Sequence, residues 1–532
     1  MTVYARVGSL TSKAKQQLTI SQSGVTCIVG GNNVGKSQIL RDLLALLRSE
    51  DAHTVVLENI KLVRNSPTRH EVVEWLNTNA VPHPPTIGYP LMYSPYLEDQ
   101  QDPTHTMVSA ENLIDLQRDN SLMQVASFFV NHLTAGSLAG AGSDGFIHAG
   151  MQNRGTAMHQ LYINGELEEE LSQLSQQVFQ LPLTLDRINP QVILRVGEIP
   201  PTMKVPPLNR PTKEYADAVI ALPPLFDQGD GVKSFIGLAL TVIAGRSQIL
   251  LIDEPEAFLH PAQARALGRW IGREAKKRDL QVIIATHDRD FVLGLLHSEN
   301  DSPVHLIRVV RDQSSSQFYE LSSEQIRETW TNPVLRYSNI LQGLFHRRVV
   351  VCEADADCRF FGAVLDQLAD ETGQRKEADD VLFVPAGGKH GVPALAGALG
   401  GLGVETHALL DFDVLRVKKD IKAIVESMGG DWTDFDADYL SFFNPMRSEN
   451  KVDLSKKIGL NAVPTGSPLR ACMRLIESLH AIGVHVIPVG EMEGFDRSID
   501  GHGSEWVSGA LKENLHKTCQ AVKDYVGRVL AN

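Results

Sequence analysis

Five cysteines in 532 residues (Cys27, Cys352, Cys358, Cys472, Cys519) form no CxxC pair. That spacing argues against a zinc ribbon and a disulfide scaffold. An odd count without a framework predicts a reducing, cytoplasmic setting. No run of about 18 apolar residues occurs, and the first twenty residues lack the apolar centre of a secretory leader. The expectation is a soluble intracellular chain with no membrane partner. Basic residues do not dominate either: 50 Lys and Arg stand against 64 Asp and Glu, a net charge of −14. Residues 345–532 hold 21 basic and 28 acidic side chains, so acidity runs through both halves and no basic tail marks a nucleic-acid binder. Contact with DNA would need local patches such as His346-Arg347-Arg348 or Arg416-Val-Lys418-Lys419, each of which also reads as ordinary solvated surface. No heptad array follows residue 37, which excludes a long coiled-coil arm. Neither GxSxG nor HExxH occurs.

What is present is a globular composition, 43% hydrophobic and 21% charged, on a chain long enough for two to four domains. Apolar β-rich runs recur at 25–29, 248–252, 281–285, 348–352, 381–385, 407–411 and 484–489. Such near-continuous runs fit strands buried on both faces of a parallel sheet. Helical patterns at 37–48 and 261–277 lie between them, so the fold class is α/β. A break near 325–346 separates two strand series. This gives an N-terminal domain over 1–325, with a helical insertion roughly over 50–215, a linker over 326–346 and a second α/β domain over 347–532. A Gly-rich segment at 135–155 and a Pro-rich one at 200–211 suggest connections, the former alternatively a gating loop.

The segment Gly30-Gly-Asn32-Asn33-Val34-Gly35-Lys36-Ser37-Gln38 satisfies GxxxxGK[ST] between a strand-like and a helix-like run. Glycines allow backbone N–H groups to turn toward phosphate oxygens at a helix N-terminus. Lys36 would meet the β- and γ-phosphates of ATP, and Ser37 would complete a Mg2+ shell. Downstream, Ile249-Leu-Leu-Ile-Asp253-Glu254 ends a buried strand with two acids. Asp253 suits the metal, and Glu254 suits activation of the attacking water. Between them lies Gln228-Gly229-Asp-Gly231-Val-Lys-Ser234, and after them QVIIATH ends in His287.

In that order the four pieces resemble the ABC-type ATPase heads of the structural-maintenance-of-chromosomes and RecF kind. The resemblance implies that Gln228, Gly229, Gly231 and Ser234 form the signature loop closing on a partner subunit's ATP. It implies also that His287 senses the γ-phosphate and that the heads pair as a homodimer or higher homo-oligomer. The signature departs from LSGGQ, and His260-Pro261 stands where many ABC proteins carry aspartate. Gln100 and Gln101 are candidates for the glutamine loop by position alone.

A second acidic constellation follows the break. Arg348-Val-Val-Val-Cys352 runs into Glu353, Asp355 and Asp357, and His407-Ala-Leu-Leu runs into Asp411-Phe-Asp413. Carboxylates at the ends of neighbouring parallel strands suit Mg2+ or Mn2+, which can activate water and stabilise a phosphodiester transition state. With Phe383-Val-Pro-Ala-Gly387-Gly388-Lys389 between them and Val-Gly490-Glu491-Met-Glu493 after them, these motifs resemble a Toprim domain. The order of domains resembles the overcoming-lysogenisation-defect (OLD) and Gabija nucleases. That resemblance implies an ATP-regulated, metal-dependent DNA endonuclease of anti-phage defence, with metals on Glu353, Asp357, Asp411 and Asp413. Lys389 is a candidate phosphate contact. Alanine at 354, where the family form EGxxD carries glycine, keeps open a sensor or assembly subunit serving a separate nuclease. Septu-type HNH systems and retron systems are of that kind. A RecF-like repair ATPase is a third, weaker reading.

Overall fold

The computed structural model describes residues 3–31, 33–83, 85, 90–95, 107–115, 121–139, 143–146, 156–189, 191–207, 211–297, 304–312, 315–321 and 339–529. Asn32, Gln100, Gln101, most of the Gly-rich segment and most of the 326–346 linker lie outside these residues. The chain divides into two compact units, Met1–Ser323 and Glu324–Asn532.

The first unit is built on a six-stranded sheet. Its order is Ser315–Leu321, Val304–Asp312, Gly24–Val29, Gln281–Ala285, Ile249–Asp253 and Val130–Thr134. All neighbours pair in parallel except the first two, which form an antiparallel hairpin at the edge. The two central strands are buried along their whole length, as their apolar sequences require. A second, antiparallel sheet joins Gln17–Thr19, Ala5–Ser12 and Leu57–Arg64. A third sheet joins Ser143–Phe146, Gln191–Val196 and Leu183–Asp186.

The 50–215 stretch is therefore not helical throughout. It supplies Leu57–Arg64 to the antiparallel sheet and Val130–Thr134 to the edge of the central one. Neither strand shows the long apolar run of the central strands, because an edge strand is covered less completely. The stretch also supplies helices, notably Arg69–Asn79, Gly165–Phe179 and Lys213–Ala221.

Helices Lys36–Arg48 and Pro261–Lys277 form as the sequence predicts. The second starts at Pro261 in its first turn, with His260 Nδ1 accepting from the Ala262 N–H. It packs on Arg289–Leu295 through facing glycines. A Cβ on Gly268 would stand 2.3 Å from the Phe291 carbonyl oxygen, and one on Gly294 would stand 2.2 Å from that of Arg265. Backbone meets backbone there, so nothing can yield.

The second unit has a four-stranded, wholly parallel sheet in the order Val381–Pro385, Arg348–Cys352, Glu405–Leu410, Val484–Val486. Its main core packs helix Asp355–Thr372 against Trp506, Tyr525 and Val526 of the C-terminal helices. Parallel pairing brings the carboxyl ends of all four strands to one edge. Among the described residues no helix is long and apolar enough to cross a membrane.

Gly268→Ala is expected to destabilise the first unit by about 1–3 kcal/mol through overpacking. Chemical denaturation would show it as a lowered midpoint with an unchanged slope.

Candidate functional site

In the first unit the phosphate loop leaves the Gly24–Val29 strand through Gly30 (φ 152°), Asn33 (φ 61°) and Gly35 (φ 104°). Gly30 has a second reason to lack a side chain, since a Cβ would lie 2.5 Å from the Val309 carbonyl oxygen. The turn delivers Lys36 and Ser37 to the start of a 13-residue helix. Lys36 is buried, and its ammonium donates to the carbonyls of Gly30 (3.0 Å) and Gly31 (2.7 Å). Burial lowers its pKa, while Glu254, Glu256 and Asp253 pull the other way. A buried cation at the mouth of a helix N-terminus suits an anionic, phosphate-bearing ligand. Gln38 turns instead to Asp42, donating at 2.8 Å. The Asp42 carboxylate also accepts from the backbone N–H groups of Val55, Val56 and Leu57.

Ser37 Oγ donates to Asp253 Oδ1 at 2.9 Å, joining the first motif to the second. A hydroxyl and a carboxylate at this spacing fit a Mg2+ shell of oxygen ligands. Beside them Glu254 holds φ 51°, a left-handed conformation uncommon outside glycine, while its N–H donates to the Ala285 carbonyl at 2.9 Å. His287 Nδ1 lies 3.0 Å from Glu254 Oε1 and 3.8 Å from Glu256 Oε1. The acid that sequence reasoning passed over is Glu256. It is buried, accepts from Thr286 Oγ1 at 2.6 Å, and has its pKa raised to about 7 by desolvation. Its one legible signal was a second glutamate two residues after the first.

Gly229 caps helix Asp230–Ala244, and Gly231 sits so close to the 256–259 turn that a Cβ would lie 2.5 Å from the Phe258 carbonyl oxygen. Ser234 departs from the signature expectation. It falls on the inner side of that helix, 1% exposed, so its hydroxyl faces the core and not a partner's nucleotide. Gln228, Gly229 and Asp230 occupy the accessible start of the helix instead.

In the second unit a cavity of about 580 Å3 opens at the strand ends, lined by Glu353, Asp357, Asp411, Glu493, His502 and the Gly387-Gly388 turn among others. Glu353 follows its strand directly, and its Oε1 accepts from the Asp411 N–H at 3.2 Å. Asp357 lies on the first turn of helix Asp355–Thr372 and accepts from the Ala354 N–H at 2.8 Å. The glycine turn wraps the same corner, with Gly388 N–H donating to the Glu353 carbonyl at 2.7 Å. Phe412 N–H donates to the Gly490 carbonyl at 2.7 Å and so ties the Asp411 turn to the Glu491–Glu493 segment.

Crowding these acids has an electrostatic result. Desolvation, then neighbouring carboxylates, push Asp411 up to about 9 and Glu353 to about 7, and Asp357 is also raised. Oxygen donors held together against their own repulsion are the donor set that a hard divalent cation neutralises. One expected participant, Asp413, stands apart from the cavity lining and pairs with Lys389 Nζ at 3.3 Å, while Asp355 lines the cavity and also pairs with Arg359 at 2.7 Å. Glu493 and His502 are the members missing from the metal set expected above. Glu493 lay in a quoted motif, whereas His502 carried no signal.

The residues of the two basic patches differ in exposure and pairing. Arg348 is a buried strand residue paired with Glu405, Arg416 pairs with Asp453, and Lys418 pairs with Asp436 at 2.5 Å.

Above the range in which the lowered pKa values of His480 and His485 act the other way, the raised carboxyl pKa values of Asp411 and Glu353 mean that the metal-free folded unit binds more protons than the unfolded chain between about pH 7 and about pH 9. Its stability is therefore expected to fall as pH rises through that window. A cation that needs ionised carboxylates opposes the fall. Scanning calorimetry should find that Mg2+ or Mn2+ raises the melting temperature by several degrees more near pH 8.5 than near pH 6.5. Asp411→Asn should flatten the difference.

Comparison with known proteins finds similarity in both units. The AAA domain family described with AbiEii toxins and Type IV TA systems matches residues 220–294. The overcoming lysogenization defect protein-like TOPRIM domain family matches residues 344–413. The Old nuclease of Escherichia phage P2 is 24% identical over 173 residues, which span 31% of this chain and 28% of that protein. An uncharacterized protein of Methanocaldococcus jannaschii, MJECL11, is 29% identical over 102 residues, 19% of this chain and 90% of that one. Among solved structures, an Smc head bound to the C-terminal winged-helix domain of ScpA matches with TM-score 0.37 and 12% identity, covering 61% of this chain and 99% of that one. The SMC head domain from Thermotoga maritima matches with TM-score 0.30 and 14% identity, covering 60% and 100%. The chain joins an AAA-type ATPase domain to a C-terminal OLD-like Toprim domain, the arrangement of an OLD-family ATPase.

Proposed function

We propose that the chain is an ATP-hydrolysing, metal-dependent DNA endonuclease whose heads work as a homodimer, in the cytoplasm and in defence against phage. The observation that carries the nuclease reading is the convergence of Glu353, Asp357 and Asp411 on one cavity, with Glu353 and Asp411 held well above ordinary carboxylate pKa values. A divalent cation there would polarise the scissile phosphate and supply a nucleophilic water. The cavity acids would hold it, and Lys389, paired with Asp413 at 3.3 Å, would contact a phosphate oxygen. In the first unit Lys36 and the loop N–H groups would bind the phosphates of ATP. Ser37 and Asp253 would hold its Mg2+, and Glu254 would orient the attacking water. His287, within hydrogen-bond reach of Glu254, would link that glutamate to the γ-phosphate.

A second reading has support in one observation. With Asp413 paired to Lys389, the second acid of the DxD turn is drawn off the cavity, as suits a sensor subunit that controls a separate nuclease. Partners of that kind include an HNH nuclease or a retron.

A plasmid-nicking assay with Mg2+ or Mn2+, with and without ATP, separates the two. Cleavage lost by about 100-fold or more in Asp411→Ala supports the endonuclease. Equal inertness of both proteins, with ATP turnover intact, supports the sensor. Lys36→Ala is expected to abolish ATP binding in calorimetry, and Glu254→Gln to keep binding while cutting turnover by about 100-fold.

A further inference from the structure

One buried acid of the ATPase domain has no role in binding phosphate or metal. Glu256 lies in the turn that leads from the Ile249–Asp253 strand to helix Pro261–Lys277. Two residues of that turn, Glu254 (φ 51°) and Phe258 (φ 68°), are left-handed without being glycine. A turn strained in this way persists only where its surroundings hold it. Glu256 supplies a deep hold, since its side chain is 5% exposed and its Oε1 accepts from Thr286 Oγ1 at 2.6 Å. Thr286 follows the Gln281–Ala285 strand and is fully buried, with its N–H donating to the Ile28 carbonyl at 3.0 Å. The same hydroxyl accepts from the Asp288 N–H at 2.9 Å, and Asp288 caps helix Arg289–Leu295. His287 is therefore bracketed: the residues on both sides of it are tied to one carboxyl through one hydroxyl. Packing of its own does not fix the imidazole, which is 47% exposed. Yet its Nδ1 stands 3.0 Å from Glu254 Oε1 and 3.8 Å from Glu256 Oε1.

A second feature sets Glu256 apart from an ordinary buried anchor. Its Oε2 is buried with no hydrogen-bond partner among the described residues. A neutral acid tolerates that position better than a carboxylate. The charged groups around it are Lys36, Glu254 and Asp288, with the Cys27 thiol and the His287 imidazole beside them. Desolvation outweighs the others and raises its pKa to about 7. With Glu256 neutral, Glu254 is the carboxylate that His287 Nδ1 meets, in keeping with the shorter distance. An ionised Glu256 would compete for the imidazole and draw it away. We infer that Glu256 is a positioning residue for ATP hydrolysis, which through Thr286 holds His287 against Glu254 and, as a neutral acid, leaves that contact undivided. The assignment rests on the reading of Glu254 and His287 as hydrolysis residues.

The experiment is steady-state ATP turnover of the full chain with Mg2+ at about pH 6.5 and about pH 8.5, beside ATP affinity by calorimetry. Glu256→Ala and Thr286→Val are each expected to lower kcat about tenfold or more, with Kd for ATP within about twofold of wild type. The double variant should be no slower than either single one, because both break the same linkage. Glu256→Gln keeps an acceptor for Thr286 and mimics the neutral acid, so its kcat should lie within about threefold of wild type at the lower pH. At the higher pH wild-type kcat should fall relative to Glu256→Gln, whose residue 256 cannot ionise. The assignment is overturned if Glu256→Ala or Thr286→Val keeps wild-type kcat, or if the loss lies in affinity. It is overturned equally if the two losses multiply in the double variant, if Gln fails as badly as Ala, or if wild type and Glu256→Gln share one pH profile. Should Glu254→Gln turn over ATP as fast as wild type, the reading of the hydrolysis site itself fails. If circular dichroism shows Glu256→Ala unfolded, Thr286→Val and Glu256→Gln decide by the same criteria.

Discussion

Ser37 and Asp253 are 216 positions apart and share a hydrogen bond because two parallel strands end on the same edge of one sheet. The Gly24–Val29 and Ile249–Asp253 strands flank Gln281–Ala285, so three consecutive strand ends supply the phosphate loop, the Asp253–Glu254 pair and the approach to His287. Parallel pairing imposes this. It sends every crossover back behind the sheet and leaves the carboxyl edge free for loops. The second unit repeats the device with four parallel strands, whose ends carry Glu353, the Gly387-Gly388 turn, Asp411 and the Glu491–Glu493 segment. One architectural rule thus builds both sites.

The two sites handle charge differently. The first surrounds a buried lysine with acids and a helix N-terminus, so both signs are present before a ligand arrives. The second gathers carboxylates with little compensation inside the cavity, since Lys389 is engaged by Asp413. Raised pKa values at Glu353, Asp357 and Asp411 record that imbalance. Folding tolerates it because helix packing around Phe360, Trp506 and Tyr525 fixes the strand ends regardless of charge. A site destabilised in this way favours binding of a cation over standing empty.

Sequence and structure agree best where a local pattern carries its own physical cause. The seven apolar runs became strands, most of them buried because both sheet faces are covered while the edge strand Val381–Pro385 is half-buried, and the 261–277 helix began at its proline. They diverge where the cause is remote. Val130–Thr134 joins the central sheet through pairing with Ile249–Asp253, a contact that no nearby residue announces. Motif order makes Ser234 a signature residue, yet helical phase turns it inward.

The residues 30–37 and 253–254, and the acids at 353, 357, 411 and 413, were legible from order and spacing alone, because phosphate and metal chemistry restrict which residue types can serve. Which acids share a cavity was decided by tertiary structure. Asp355 and Asp357 both line the cavity, but the first helical turn after Ala354 sets them about 200° apart around the axis, so Asp355 also reaches Arg359 while Asp357 folds back on the Ala354 N–H. Glu493 and His502 join Glu353 because the Val484–Val486 strand pairs beside Glu405–Leu410 and carries the following loops to the same edge. Sequence supplied the donor chemistry. Strand order and helical phase decided which donors meet, since both depend on contacts between residues far apart in the chain.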